Sequence, residues 1–298
     1  LYSDINKKYL RLGDAVPETN EGKTGLIHSI LSDYCQEFIQ SMDNKKDSYN
    51  YGKKFKDIFI DYRKRIEVIN PFNENNYTND YINNSIDSCV GNHMSILTSP
   101  IEVLEHCLRD KSKKPFNFFI NPSITCVSKI STCLHELNNK ILFDKKYSRF
   151  PNLCLKIKEI VNNKIIKVNI QKTNNMINDI IKMEENYIWT DESLFLEEVK
   201  EIFSKKYNFS SPDNVRKLLE SYFTCIKKNI NNNIPKLTMM CLVKQTIDNL
   251  SSIVFEEILK NNILDLVQEE DNIKELREKY LVKVNKIKSV KKYIDDSL

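Results

Sequence analysis

Glycine is scarce in this chain: five in 298 residues, beside eight prolines and a single tryptophan. Phosphate-cradling loops, β-hairpin turns and doubly wound sheets all consume glycine, so an α/β enzyme or an all-β sandwich is disfavoured. No run of about 18 uncharged apolar residues is present, and no signal-peptide pattern precedes the first charged segment. The chain opens at Leu1 without an initiator Met, and it reads as an excised fragment of a cytosolic protein. Charge of one sign is also lacking. Lys and Arg number 45 against 41 Asp and Glu, a net of +4, which gives no basic field for nucleic acid.

Eight cysteines are present, at 35, 89, 107, 126, 133, 154, 225 and 241, and no two stand at a C-x-x-C spacing. Most lie in apolar stretches and read as reduced core thiols. His106-Cys107 and Cys133 with His135 do not have the spacing of a zinc finger, so a helix histidine is the better reading.

What is plentiful is apolar residues at helical spacing. Residues 1–12 read as a helix stopped by Gly13. From Thr24, read as an N-cap, a stripe runs through Leu26, Ile27, Ile30, Leu31, Tyr34, Phe38 and Ile39. Phe55, Ile58, Phe59, Tyr62 and Ile66 continue it to Pro71, and a short helix fits 78–89. Ser99 and Pro100 open a helix to about Arg109, and Pro122 opens another through Ile124, Val127, Ile130, Leu134, Leu137 and Ile141. Pro151 begins a run to Tyr187 without Gly or Pro, with Val161, Ile165, Val168, Ile177 and Ile181 on one face. At 1.5 Å per residue it would span about 55 Å. After a polar connection, Pro212 opens a second such helix, which Pro235 should kink or briefly break. The last helix carries Ile273, Leu276, Tyr280, Val284, Ile287, Val290 and Ile294, a coiled-coil-like seam that needs a partner. Helices of this length pack side by side as an elongated antiparallel bundle.

Chemistry is hard to find. Gly22-Lys23-Thr24 imitates the end of a phosphate loop, but Pro17 occupies the position of the required first Gly, and a helix precedes it where a strand is needed. Serines lack the G-x-S-x-G turn. Adjacent acids such as Glu184-Glu185, Glu197-Glu198 and Asp295-Asp296 diverge on a helix. Neither catalytic, cofactor-binding nor metal-ligating residues are expected.

Two stretches resemble the dynamin family. Residues 149–195 carry Phe150-Pro151-x-Leu153, a long helix, and a Glu184-x-x-Tyr187-Ile188 close followed by Thr190-Asp191, similar to the family's middle domain. Residues 211–261 carry Val215-Arg216-x-Leu218, Tyr222, Pro235-Lys236 and Glu257-Ile258-Leu259, similar to its GTPase effector domain. Leu12-Gly13 to Pro17, Phe38, Gly91 to Leu97 with Pro100, and Pro122-Ser123-x-x-Cys126-Val127 are similar to further family segments in the same order.

The resemblance implies an all-α, elongated antiparallel four-helix stalk. Its middle-domain part would be 1–190, a connecting loop 191–211, the effector-domain helix 212–264 and a bundle-signalling helix 265–298. Ile273, Leu276, Tyr280, Val284, Ile287 and Ile294 would couple to a GTPase head, absent here, that would use GTP and Mg. Leu237, Thr238, Met239 and Met240 would form a crosswise dimer contact. Gly91, Asn92, His93 and Met94 match an assembly loop, although His93-Met94 replaces the family's usual Arg-Pro. The implied partners are further copies of the chain, the head with its flanking helices, and a membrane reached through an adaptor or other surfaces. The implied place is the cytoplasm, peripheral to a membrane, where the assembly remodels or divides it. A helical tether or adaptor gripping a partner through its C-terminal helix is the alternative reading, and a helical enzyme with an unrecognised site is a third.

Overall fold

In the computed structural model, which describes residue 5 and residues 15–42, 50–89, 100–204, 211–260, 265–268 and 271–295, the apolar stripes fold as helices. The helices are α1 Asn20–Met42, α2 Tyr51–Glu67, α3 Asn79–Cys89, α4 Pro100–Leu108, α5 Ile120–Leu142 and the short α6 Lys145–Ser148. They continue with α7 Pro151–Ile160, α8 Lys167–Asn186, α9 Ser193–Ser204, α10 Pro212–Thr238, α11 Gln245–Leu259 and α12 Asp271–Asp295. A 3₁₀ turn, Pro115–Phe119, leads directly into α5. Wide π-helical turns join α7 to α8 at Val161–Ile166 and α10 to α11 at Met239–Lys244. No strand occurs among the described residues, and no helix among them is long and apolar enough to cross a membrane.

Several boundaries differ from those read in the sequence. Helix α1 starts at Asn20, not Thr24, because Thr19 caps it: its Oγ1 accepts from the Gly22 N–H at 3.1 Å. Thr24 instead turns its hydroxyl back to the Asn20 carbonyl at 2.9 Å. Gly22 is needed for space, since a Cβ there would stand 2.5 Å from the Cβ of Pro17. Helix α5 begins two residues before Pro122, which lies in its first turn, where a missing N–H costs nothing. Pro235 does not interrupt α10. The stretch expected as a connecting loop contains α9, which packs against α10 through Phe195 and Ile202. The helix expected over 1–12, apart from residue 5, and the Ser99 cap lie outside the described residues.

The chain divides into two units. One comprises Leu1–Tyr51, Cys133–Val168 and Gln245–Leu298. Here α11 packs on α1, on α7 and on the first π turn, burying Ile27, Leu31, Phe38, Ile157, Leu250 and Val254. Each such aliphatic side chain contributes roughly 1.5–3 kcal/mol by leaving water. A chain of polar side chains inside this unit is paired. The buried Tyr34 hydroxyl donates to Asn138 Oδ1 at 2.8 Å, and Asn138 Nδ2 donates to Asn162 Oδ1 at 3.3 Å. That oxygen lies 2.8 Å from His135 Nδ1, and as an acceptor it requires the proton to sit on that nitrogen. Ion pairs Lys146–Asp33 and Lys164–Glu257 tie helices on the surface.

The other unit comprises Gly52–Thr132 and Asn169–Lys244. Its core is aromatic. Phe223 of α10 is met by Phe72, Phe116 and Phe119, with centroids 5.1, 6.2 and 4.8 Å away. Tyr77 meets Phe72 edge-on at 4.9 Å and donates its hydroxyl to the Cys107 carbonyl at 3.2 Å. Arg216 fastens the approach to α3 by donating to the Tyr77 carbonyl at 2.9 Å and to Asn79 Oδ1 at 2.8 Å.

The first π turn explains a second departure from the sequence pattern. A π turn closes with an i→i+5 bond and so takes up one more residue than an α turn. Beyond it the buried positions fall at Asn169, Thr173, Ile177, Ile181 and Glu184, one residue later than a stripe drawn from Ile165 to Val168 would place them. Val168, expected on the buried face, and Tyr187, where that run ends, are exposed. Thr173 satisfies its hydroxyl on the Asn169 carbonyl at 2.7 Å. All eight cysteines are free thiols, and burial pushes Cys107 and Cys154 up to about 11 and Cys126 up to about 12.

Candidate assembly surface

Residues 237–243, Leu-Thr-Met-Met-Cys-Leu-Val, form an apolar run too wide for one face of an α-helix. The structure resolves this by widening the helix. Leu237 and Thr238 end α10 buried, with the Thr238 hydroxyl donating to the Ile234 carbonyl at 2.8 Å. Cys241, Leu242 and Val243, inside the π turn, are buried again. Between them Met239 and Met240 point outward, 36% and 50% exposed. On the inner side the Cys241 Sγ lies 3.5 Å from the Met176 Sδ of α8. Of the four residues expected at a crosswise contact, two are therefore free to meet another molecule and two hold the helix in its own core. The unbroken apolar run was the signal for the wide turn.

Gly91, Asn92, His93 and Met94, expected in an assembly loop, lie outside the described residues.

Helix α12 holds the residues expected at a coupling seam, and they do not all face inward. Val284 is buried and Ile273, Tyr280 and Ile287 are half-buried, but Leu276 turns outward at 43% exposure. Arg277, 6% exposed, takes the inward place that Leu276 was expected to fill. Spacing of 273, 277, 280, 284 and 287 is a regular four-three alternation, so geometry and not hydropathy sets this stripe. Val290, expected in the same stripe, is exposed. Ile294 lies within the last turn of α12. A cleft of about 760 Å³ opens beside α12, bordered by Val16, Pro17, Lys23, Val267, Arg277 and Leu281.

Among the described residues no group of three or more His, Cys, Asp or Glu is arranged to hold a metal ion. Lys23 and Thr24 lie in the first turns of α1, with Gly22 closed against Pro17, so the amides there cannot form a phosphate nest.

Comparison with known proteins agrees with the helical order. The family model of the dynamin central region matches residues 1–204, and that of the dynamin GTPase effector domain matches residues 207–297. The chain is similar to Dynamin-related protein 3B of Arabidopsis thaliana, 23% identical over 201 residues, which is 64% of this chain and 24% of that protein. It is similar to Dynamin-related protein 3A of the same plant, 22% identical over 205 residues, 65% of this chain and 24% of that protein. The aligned part thus spans about a quarter of the length of these curated relatives. With a helical bundle in place and both stalk regions matched in order, the chain belongs to the dynamin family, as a middle-domain and effector-domain stalk.

Proposed function

We propose that this stalk assembles with copies of itself, crosswise through Met239 and Met240, into dimers and then ring or helical polymers that remodel or divide a membrane. The supporting observation is the wide turn at 239–244, which holds two adjacent methionines outward between buried neighbours. Methionine is flexible and polarizable, suited to a contact between two identical faces. In this reading α12 relays movement from a GTPase head that binds GTP and Mg, while 91–94 supplies a second contact that extends the dimer into a polymer. Membrane contact is made at the cytoplasmic face, through an adaptor or other surfaces.

Sedimentation of the chain over a wide concentration range tests the reading. The chain should form dimers and larger species, and Met239→Asp with Met240→Asp should weaken association at least about tenfold, since a charge would be buried at the contact. Circular dichroism should show unchanged helicity in that variant. A chain that stays monomeric at high concentration, or a double variant that associates as well as the parent, would rule the contact out.

A further inference from the structure

The end of α8, the turn 187–192 and the start of α9 present an unusual surface within one unit. Tyr187, Trp189 and Leu194 are 71%, 62% and 63% exposed, and Met183 and Leu196 are exposed beside them. Scattered apolar side chains need no explanation, but five within 14 consecutive residues, one of them the sole tryptophan, mark an interaction surface. The segment is held in place, not dangling. Phe195 is buried against the Tyr222 ring with centroids 5.6 Å apart, and Ile202 is buried below it. The Glu192 N–H donates to Thr190 Oγ1 at 3.2 Å, and Lys228 Nζ donates to the Glu192 carboxylate at 3.3 Å. With the turn tied to α10, the rings are already ordered before any partner arrives, which lowers the entropic cost of binding.

The same stretch is strongly acidic. Residues 183–201 contain seven carboxylates and one lysine, a net of −6. A groove of about 490 Å³ runs between α9 and α10, with Leu194, Glu197, Glu198 and Glu201 on one wall and Lys217, Glu220 and Lys228 on the other, so its four acids outnumber its two lysines, one of which lies 3.9 Å from Glu201. Its size admits a few side chains from one face of a helix, not a whole helix. An anionic bilayer would be repelled by these carboxylates. A partner must bring apolar anchors for Trp189 and the groove, and cations for the rim.

We infer that this surface docks a basic amphipathic helix of another protein, in the helix-in-groove manner, with Trp189 as its central anchor. The inference does not depend on self-assembly through Met239 and Met240, which lie elsewhere on the chain.

Because Trp189 is the only tryptophan, its emission reports the docking directly. The probe is a synthetic tryptophan-free helix with leucine on one face and lysine on the other. Controls are a peptide of the same composition in scrambled order and vesicles of phosphatidylserine and phosphatidylcholine. The amphipathic helix should shift Trp189 emission to the blue, and its affinity should fall as salt rises from about 0.1 M to about 1 M. Tyr187→Ser with Leu194→Ser, and separately Glu197→Lys with Glu201→Lys, should each weaken it about tenfold or more. Leu155→Ser, at an exposed position in the other unit, should leave it unchanged. Met239→Asp with Met240→Asp should leave the shift intact, so failure of self-assembly and failure of docking are told apart. Equal binding of the scrambled peptide would reduce the effect to plain charge attraction and overturn the inference. A blue shift with vesicles alone would assign the surface to lipid, and one that grows with protein concentration alone would assign it to a second copy; either also overturns it.

Discussion

The rings of Phe119 and Phe223 stack with centroids 4.8 Å apart and planes 20° apart, while Phe72 meets Phe223 at 88° from another side. One side chain of α10 thereby joins the 3₁₀ turn before α5 to the loop before α3. Phe223→Ala should cost about 3–5 kcal/mol, the transfer loss plus the cavity left among three other rings. Phe118→Ala, at a half-exposed neighbour in the same turn, should stay within about 0.5 kcal/mol. Urea denaturation followed by circular dichroism measures both. Similar losses for the two would mean that the ring cluster is not what stabilises this unit.

The two glycines of α1 should respond to alanine with opposite signs. At Gly25 nothing lies within 4 Å of an added Cβ, so Gly25→Ala should stabilise by about 0.5–1 kcal/mol through helix propensity. At Gly22 the added atom meets the Pro17 ring at 2.5 Å, and Gly22→Ala should destabilise by about 1–3 kcal/mol. Thermal melts of the pair decide the matter, and a stabilising Gly22→Ala would show that the residues before α1 are not seated on it.

Glu184 is buried on α8, and burial raises its carboxyl above the usual range although Asn229 Nδ2 donates to it at 3.4 Å. A raised folded-state pKa means the folded protein holds the proton more tightly than the unfolded chain does. Stability from this group is therefore fully present below the unfolded value of about 4.3 and is lost as pH rises through the raised folded value. Glu184→Gln keeps the acceptor for Asn229 and removes the charge. It should be more stable than the parent at pH 7, with the difference closing below about pH 4. Denaturation midpoints across pH test this, and a difference independent of pH would contradict it.

Asn162 accepts from both Asn138 and His135 at the first π turn. Asn162→Leu strips the acceptor from two groups at once and should cost about 1–3 kcal/mol, whereas Asn162→Asp should retain most of the stability. Hydrogen exchange of the amides in 161–166 would locate the loss. Equal behaviour of the Leu and Asp variants would show that shape alone, without the acceptor, sets this turn.

Helix content, order and most bounds were legible in the sequence because scarce breakers and three-four spacing leave few other solutions. The stripe Ile27, Ile30, Leu31, Tyr34 and Phe38 is buried as read, and Pro212 and Pro151 open their helices. Local chemistry misled where two readings competed. Thr19 and Thr24 are both able to cap, and only the fit of Gly22 under Pro17 selects the first. Helix α9 was hidden because exposed Leu194 and Leu196 flank the buried Phe195, which obscures its stripe. Within the candidate contact, hydropathy grouped Leu237 to Met240 together, but the π turn splits them into two core and two surface residues. Arg277 was passed over because its charge hid its place in the four-three spacing.

The wide turns at 161–166 and 239–244 each hold the equivalent of an inserted residue that the helix has absorbed. Shortening either by a single codon should let the backbone close with ordinary i→i+4 bonds while Leu250, Val254 and Ile258, or Ile177 and Ile181, keep their inward bearing. The same one-residue cut in mid-helix, at Thr224 for example, would swivel the downstream half of the helix by about 100° and empty the core. Within the described helices, these two turns are thus places where the gene can lose a residue without losing the protein.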